Sequence, residues 1–277
     1  MSSVLKIIAS SIVYSNLWIS AGAVSYAYVA SVLLQFDLPL KFIGFIFSTT
    51  LFTYNFQRLV KIYLNGQQVI SGPRVDWVKK NIFLVTIITA SSAFFGFYFG
   101  WTYFKPYFML LFIIGFTSFF YVWKLPFLNQ NIRSIPGIKI FVLSATWVIA
   151  THVLPNLLFS KDYFSSSSIL IFCSAFLFIC AISIPFDVRD LNVDDEKLKT
   201  LPQVFGIKSS IWLGISFLFL SALLIVLAIG FIPYGLIAAF IVTSVIVYFS
   251  NCYSDEMYYS GLVDGTLILL GLFVYFF

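Results

Sequence analysis

The stretch FLFLSALLIVLAIGFI, residues 217 to 232, carries no charge and no alternation of apolar with polar positions. A lipid-facing strand would alternate with period two over about ten residues. A run of this kind can bury its backbone in hydrocarbon only as a helix, whose polar groups pair within one segment. Similar apolar runs lie near 7–35, 39–57, 81–99, 106–123, 136–154, 167–186, 209–229, 232–249 and 261–277. At about 20 residues per crossing, they predict an all-α fold: a polytopic bundle of about nine transmembrane helices in one domain over 1–277. The chain is 61% hydrophobic and only 10% charged, against about a quarter charged in soluble domains. The expected surroundings are therefore the lipid bilayer, and no nucleic acid partner is expected.

Several features have plain readings. The first apolar run follows a single Lys6 and is too long for the h-region of a cleaved signal peptide. Cys173 and Cys180 share a helix face and Cys252 stands alone, without metal-type spacing, so packing is the preferred role. His152, the sole histidine, falls at the end of the fifth run and reads as a surface or interfacial residue. Gly96 and Gly100 form G-x-x-x-G, a close-packing pair read as a contact inside the bundle.

Orientation follows from the basic loops, which stay cytoplasmic. With the amino terminus inside, one set of loops holds Lys6, Arg58, Lys61, Arg74, Lys79, Lys80, Lys124, Arg133, Lys139, Arg189, Lys197, Lys199 and Lys208. The other holds only Lys41, Lys105 and Lys161. The chain is thus expected to be a multi-pass protein with a cytoplasmic amino terminus, in the inner membrane if the cell is bacterial. Loops 58–80, 124–136 and 187–208 are expected to form a cytoplasmic cap.

That same face carries the sequence's most unusual feature. IPFDVRDLNVDDEKLKTLPQVFG, residues 184–206, places Asp187, Asp190, Asp194, Asp195 and Glu196 within ten positions, although the chain has only eleven Asp and Glu. Pro185 is expected to bend or fray the end of the sixth segment, with helix resuming through 187–199. Asp187, Asp190 and Asp194, at i, i+3 and i+7, would then share a face. Like charges so placed call for a cation, and hard carboxylate oxygens suit Mg²⁺, which binds through one or two carboxylates plus substrate phosphates. Arg189, Lys197 and Lys199 could hold the remaining phosphate oxygens. The competing reading is a solvated loop with internal ion pairs.

D-V-R-D-x-x-x-D followed by K-T-L-P-x-x-F-G resembles the second aspartate-rich signature of the UbiA superfamily of intramembrane prenyltransferases. FYVWKLPF (120–127) and RSIPGIKIFVLSATWV (133–148) resemble that family's Tyr/Lys and I-P-G-x-K stretches. The resemblance implies a central cavity, open sideways to lipid and capped on the cytoplasmic side. There Mg²⁺ on Asp187, Asp190 and Asp194 would hold the diphosphate of an isoprenyl donor. Diphosphate departure would leave an allylic cation for a hydrophobic or aromatic acceptor, with aromatic faces stabilising the cation. Lys124, three after Tyr121, would contact the diphosphate, with Tyr121 a further substrate-binding residue, and Lys139 is a weaker candidate, since helix entry into the interface also favours a lysine there.

The first signature of that family, N-D-x-x-D-x-x-x-D, is missing. YNFQRLVKIY (54–63) keeps Asn55 as a substrate contact, but Phe56, Leu59 and Tyr63 stand at the aspartate positions. Two readings follow. Arg58 and Lys61 could supply fixed positive charge in place of one metal, leaving a single Mg²⁺. Alternatively, the protein is a silent binder of an isoprenoid or lipid, or a small-molecule transporter. Asp264, the one carboxylate inside a segment, is either functional or a helix cap, while Asp255 and Glu256 read as loop charges.

Cytoplasm-specific thiol labelling should reach cysteines placed within 62–78 and 191–203 and miss one within 160–164. Labelling of the last site from the cytoplasm would overturn the orientation.

Overall fold

The computed structural model describes residues 3–64, 72–125, 130–160 and 163–276. Residues 65–71 and 126–129, inside two of the expected cap loops, and Lys161 lie outside this set. Every regular element among the described residues is helical. In chain order they are α1 Ser3–Tyr14, α2 Leu17–Leu33, α3 Leu40–Leu64, α4 Pro73–Lys80, α5 Ile82–Phe104, α6 Pro106–Phe120, α7 Lys139–Phe159, α8 Ser166–Arg189, α9 Leu201–Phe205, α10 Ile207–Ile229, α11 Tyr234–Phe249 and α12 Tyr258–Val274. By length and composition five of them (α5, α7, α8, α10 and α11) could cross a membrane, and α1 with α2 makes a sixth if that pair is one span. α6 and α12 are shorter apolar helices.

The first apolar run is not one straight helix. α1 and α2 meet at 63° because Asn16, between them, is left-handed (φ 67°, ψ 10°), a conformation asparagine tolerates better than most residues. Its carboxamide is buried in hydrogen bonds to Asn55 and Arg74. Val4, Leu5, Ile7 and Ile8 on α1 stay exposed.

α5 and α6 both line α3, in opposite directions. Gly100 lies on Phe45 and Gly96 on Thr49, while Leu59 clusters with Val85, so α5 runs antiparallel to α3. Beyond Pro106 the contacts return toward the other end: Phe56 stacks on Phe119, and Gln57 donates to the Ser118 carbonyl at 2.8 Å. The chain therefore reverses at Pro106 and Tyr107, whose φ −128° and ψ 30° break the helical path. This matches the two separate apolar runs read at 81–99 and 106–123.

α8 is the buried centre, packed mainly against α10 and α7. Ser174 and Ser221 each donate to the other's carbonyl at 2.8 Å, the interhelical polar pairing available between closely packed membrane helices. Pro185 does not end α8, which runs on through Arg189. The carbonyl that a proline would leave free, that of Ala181, lies beside Gly214, where no Cβ intrudes. His152 is not interfacial. It is 1% exposed, sits in a π-turn over Ile149–Val153, pairs its Nδ1 with Thr151 Oγ1 at 2.9 Å, and meets the Tyr26 ring at 4.4 Å. Of the two cysteines on α8, only Cys180 packs inward; Cys173 is exposed.

Gly96 and Gly100 do serve a contact inside the bundle, between α3 and α5. A Cβ at Gly100 would stand 2.6 Å from the Phe45 ring, which is itself held by Phe42 and Tyr103. Gly100→Val should therefore cost about 1–3 kcal/mol by overpacking and lower the thermal midpoint in detergent. Gly115→Ala, with nothing near its Cβ position, should leave the midpoint unchanged or raise it slightly.

Candidate functional site

Charged side chains from four separated stretches gather at one end of the bundle, where α3 and α8 end and α4 and α7 begin. They join in a single chain of alternating sign. Arg74 on α4 reaches Glu256 at 3.4 Å, and Glu256 accepts from Arg189 at 2.9 Å. Arg189 donates to both oxygens of Asp190, at 2.8 and 3.3 Å. Arg133 bridges Asp190 at 3.7 Å and Asp194 at 3.5 Å. Lys139 joins Asp194 at 2.9 Å to Asp187 at 2.7 Å. Four cations thus balance four carboxylates. The Arg189 guanidinium also lies 5.2 Å from the ring centres of Phe186 and Tyr259, whose faces attract a cation.

The local backbone explains how the acidic stretch joins this chain, and it differs from the expected helix. α8 stops at Arg189, Asp190 caps it, and the chain turns, with Asp194 N donating to Asp190 O at 2.8 Å. Asp187, Asp190 and Asp194 are therefore not on one continuous helix face. The turn folds Asp194 back, so that it and Asp187 close on the same ammonium. Burial pushes the Asp190 carboxyl upward, and the bonds from Arg189 more than offset this, holding it below the usual carboxylate range. Its ion pairs are complete at neutral pH and are lost only as the pH falls through that lowered value.

A second branch ties this chain to the α1–α2 break. Arg74 donates to Asn16 and to Ser260, the latter at 2.9 Å, and Ser260 donates to Glu256 at 2.9 Å. Asn55 accepts from Asn16 at 2.8 Å and donates to the Ser15 carbonyl at 3.0 Å. Its buried amide is engaged at both ends, so its observed role is to tie α3 to the break and not to present a free substrate contact.

Three partly buried charged side chains at this end stand outside the ion-pair chain. Among the described residues Arg58, Lys61 and Asp264 have no ion pair or side-chain hydrogen bond. Arg58 and Lys61 lie in the last two turns of α3, past the apolar 39–57 stretch, and both are partly buried. The charges of Arg74, Glu256, Arg189 and Arg133 act on Arg58; those of Arg133, Arg58, Asp190 and Lys139 act on Lys61. Burial, then Arg74, pulls the guanidinium of Arg58 below its usual range, and burial, then Arg133, does the same to Lys61. Asp264 follows the π-turn Tyr258–Val263 and lies within electrostatic reach of Tyr54, Arg74, Arg189 and Glu256.

The positions where a first signature would carry aspartates face elsewhere. Phe56 stacks on Phe119, Leu59 is buried with Val78 and Val85, and Tyr63 is exposed. Tyr54, Arg58 and Lys61, at i, i+4 and i+7, form the α3 face turned to the ion-pair chain. Tyr121 is within reach of the charges on Arg133, Lys139, Asp187 and Asp194. Lys124 and Lys197 are exposed and enter none of these contacts. Sequence reading underrated Lys139 and missed Arg74, Arg133, Glu256 and Asn16. The one available signal was the spacing of Glu256 and Ser260, one helical turn apart.

Compared with family models, curated proteins and solved structures, the chain matches none.

Carboxylate oxygens are the donors Mg²⁺ takes, but the signature carboxylates are turned to other partners. Asp187 and Asp194 converge on the Lys139 ammonium, and both oxygens of Asp190 are held by Arg189. Among the described residues no group of three or more metal-ligating side chains gathers around one point. A Mg²⁺ ion between Asp187 and Asp194 would have to displace Lys139. As arranged, the residues fit an ammonium and do not fit a resident Mg²⁺.

The Lys139, Asp187 and Asp194 side chains are 12%, 5% and 10% exposed, so removing their shared cation strands two carboxylates. Breaking a buried pair in this way costs about 3–5 kcal/mol. Lys139→Met should lower the thermal midpoint sharply, and adding Asp194→Asn should recover part of the loss; equal midpoints for Lys139→Met and the parent would contradict the arrangement.

Proposed function

We propose that this protein is a divergent UbiA-like enzyme of nine membrane crossings that transfers an isoprenyl group from an isoprenyl diphosphate to an aromatic or other lipid-precursor acceptor. One observation carries the reading. The stretches that bear the resemblance fall in two separate parts of the chain, 120–148 and 187–206, yet Tyr121, Lys139 and the carboxylates Asp187, Asp190 and Asp194 meet at one end of the bundle. A site assembled from such separate segments suits a polar head group entering an otherwise apolar bundle.

In the reaction the allylic C–O bond breaks and its electron pair leaves with the diphosphate. The acceptor then gives an electron pair to the allylic carbon and releases a proton. Tyr54 and Trp147, joined by a 3.3 Å hydrogen bond, offer aromatic faces to the transient cation from α3 and α7. Asp264, unpaired and near Tyr54, is the carboxylate that takes the proton. Binding without transfer is the second reading, favoured by the apolar residues at Phe56 and Leu59; release of inorganic diphosphate separates the two.

Purified protein should bind an isoprenyl thiolodiphosphate analogue and should release diphosphate from the natural donor when a panel of aromatic acceptors is supplied. Asp264→Asn should keep analogue binding and lower turnover about 10²- to 10⁴-fold, the usual contribution of a positioned base. Binding without release for any acceptor would favour the silent binder, and unchanged turnover in Asp264→Asn would remove it as the base.

A further inference from the structure

We propose that the donor's diphosphate is held directly by Arg58 and Lys61, with no metal ion between protein and phosphate. This rests on the prenyl-transfer reading and departs from the two-metal arrangement that the resemblance implies.

The chain from Arg74 to Asp187 pairs four cations with four carboxylates through seven contacts of 2.7 to 3.7 Å. Its members satisfy one another and leave no net charge for a ligand. Arg58 and Lys61 are the partly buried cations that remain: two cations three residues apart on one helix, hence on one face, with no counter-ion among the described residues. Cations so enclosed are costly unless an anion joins them, and the residues around them do not supply it. The charges that reach the pair come from the balanced chain, Arg74, Arg133, Arg189 and Lys139 together with Glu256 and Asp190, and neither of those carboxylates makes an ion pair with Arg58 or Lys61.

The geometry suits a diphosphate in particular. A guanidinium offers a planar fork that matches two oxygens of one phosphate, whereas an ammonium acts as a compact point charge. Side by side they can engage two adjacent phosphates. Arginine remains charged at neutral pH whatever its surroundings, so Arg58 keeps the cradle cationic, and a bound anion favours the charged form of Lys61. Burial of the pair beside other cations keeps this potential from being screened as it would be at a free surface.

The same logic explains why aspartates are dispensable on α3. A carboxylate there would serve only to recruit a metal, and the metal would serve only to present positive charge to the phosphate. Fixed cations do this in one step. They also make the acidic stretch a scaffold: Asp187 and Asp194 position Lys139, and Asp190 positions Arg133 and Arg189.

The test is titration of the detergent-purified protein with inorganic diphosphate and with an isoprenyl thiolodiphosphate, each in EDTA and in Mg²⁺. Both ligands should bind in EDTA, with affinities within a few-fold of those in Mg²⁺. Arg58→Ala should weaken binding roughly ten- to a hundredfold, Arg58→Lys should recover part, and Lys61→Met should weaken it by a similar factor. Asp187→Asn should tighten binding, because it adds one net positive charge; a metal-ligand role for Asp187 requires the opposite. Thermal midpoints identify any variant that fails to fold. Binding that appears only with Mg²⁺, or Arg58→Ala binding like the parent, would overturn the cradle. Binding of inorganic diphosphate without the isoprenyl analogue would leave the cradle standing and overturn the prenyl-transfer reading, while absence of binding by either ligand would overturn both.

Discussion

The site depends on one interaction, the Lys139 ammonium held between Asp187 and Asp194 at 2.7 and 2.9 Å. Burying charges at the end of an apolar bundle is costly unless they are paired. Lys139 opens α7, Asp187 lies in the last turn of α8, and Asp194 lies in the turn beyond it. Their contact therefore fixes the ends of two helices and the path of the connecting segment. From Asp194 the pairing passes through Arg133, Asp190, Arg189 and Glu256 to Arg74, and from there by Ser260 and Asn16 to the break between α1 and α2. Four stretches that share no local sequence signal are joined by one alternating series, and hydrogen bonds from Arg74 add a fifth at Asn16.

This balance gives the two unpaired cations their meaning. Were a carboxylate of the series directed at Arg58 or Lys61, the α3 end would be another structural tie. Because the series balances its own charges, the face Tyr54, Arg58, Lys61 is left with positive charge and an aromatic ring. That combination suits an amphipathic ligand with an anionic head. The apolar side chains at Phe56, Leu59 and Tyr63 do not interrupt this face, since they point to α6, to the α4–α5 junction and outward.

Much of this was legible in the sequence, and what escaped it did so for physical reasons. Long apolar runs announce helices because backbone in lipid has few alternatives, and the reversal between α5 and α6 is marked by Pro106. The importance of Asp187, Asp190 and Asp194 was readable from their density, but the geometry was not. Helical spacing put them on one face, whereas α8 ends at Arg189 and a turn brings Asp194 back. Asn16 was invisible because its left-handed backbone is fixed by partners 39 and 58 residues away. His152 looked interfacial from its place at the end of a run; a π-turn and Tyr26 bury it. Glu256 read as a loop charge because nothing local reveals that two arginines converge on it.

The most direct measurement is an experimental structure with an isoprenyl thiolodiphosphate bound, determined with Mg²⁺ present. The account predicts phosphate oxygens within hydrogen-bond distance of the Arg58 guanidinium and the Lys61 ammonium, with Lys139 still between Asp187 and Asp194. A diphosphate joined through Mg²⁺ to Asp187, Asp190 or Asp194, with Lys139 displaced and Arg58 out of contact, would contradict it.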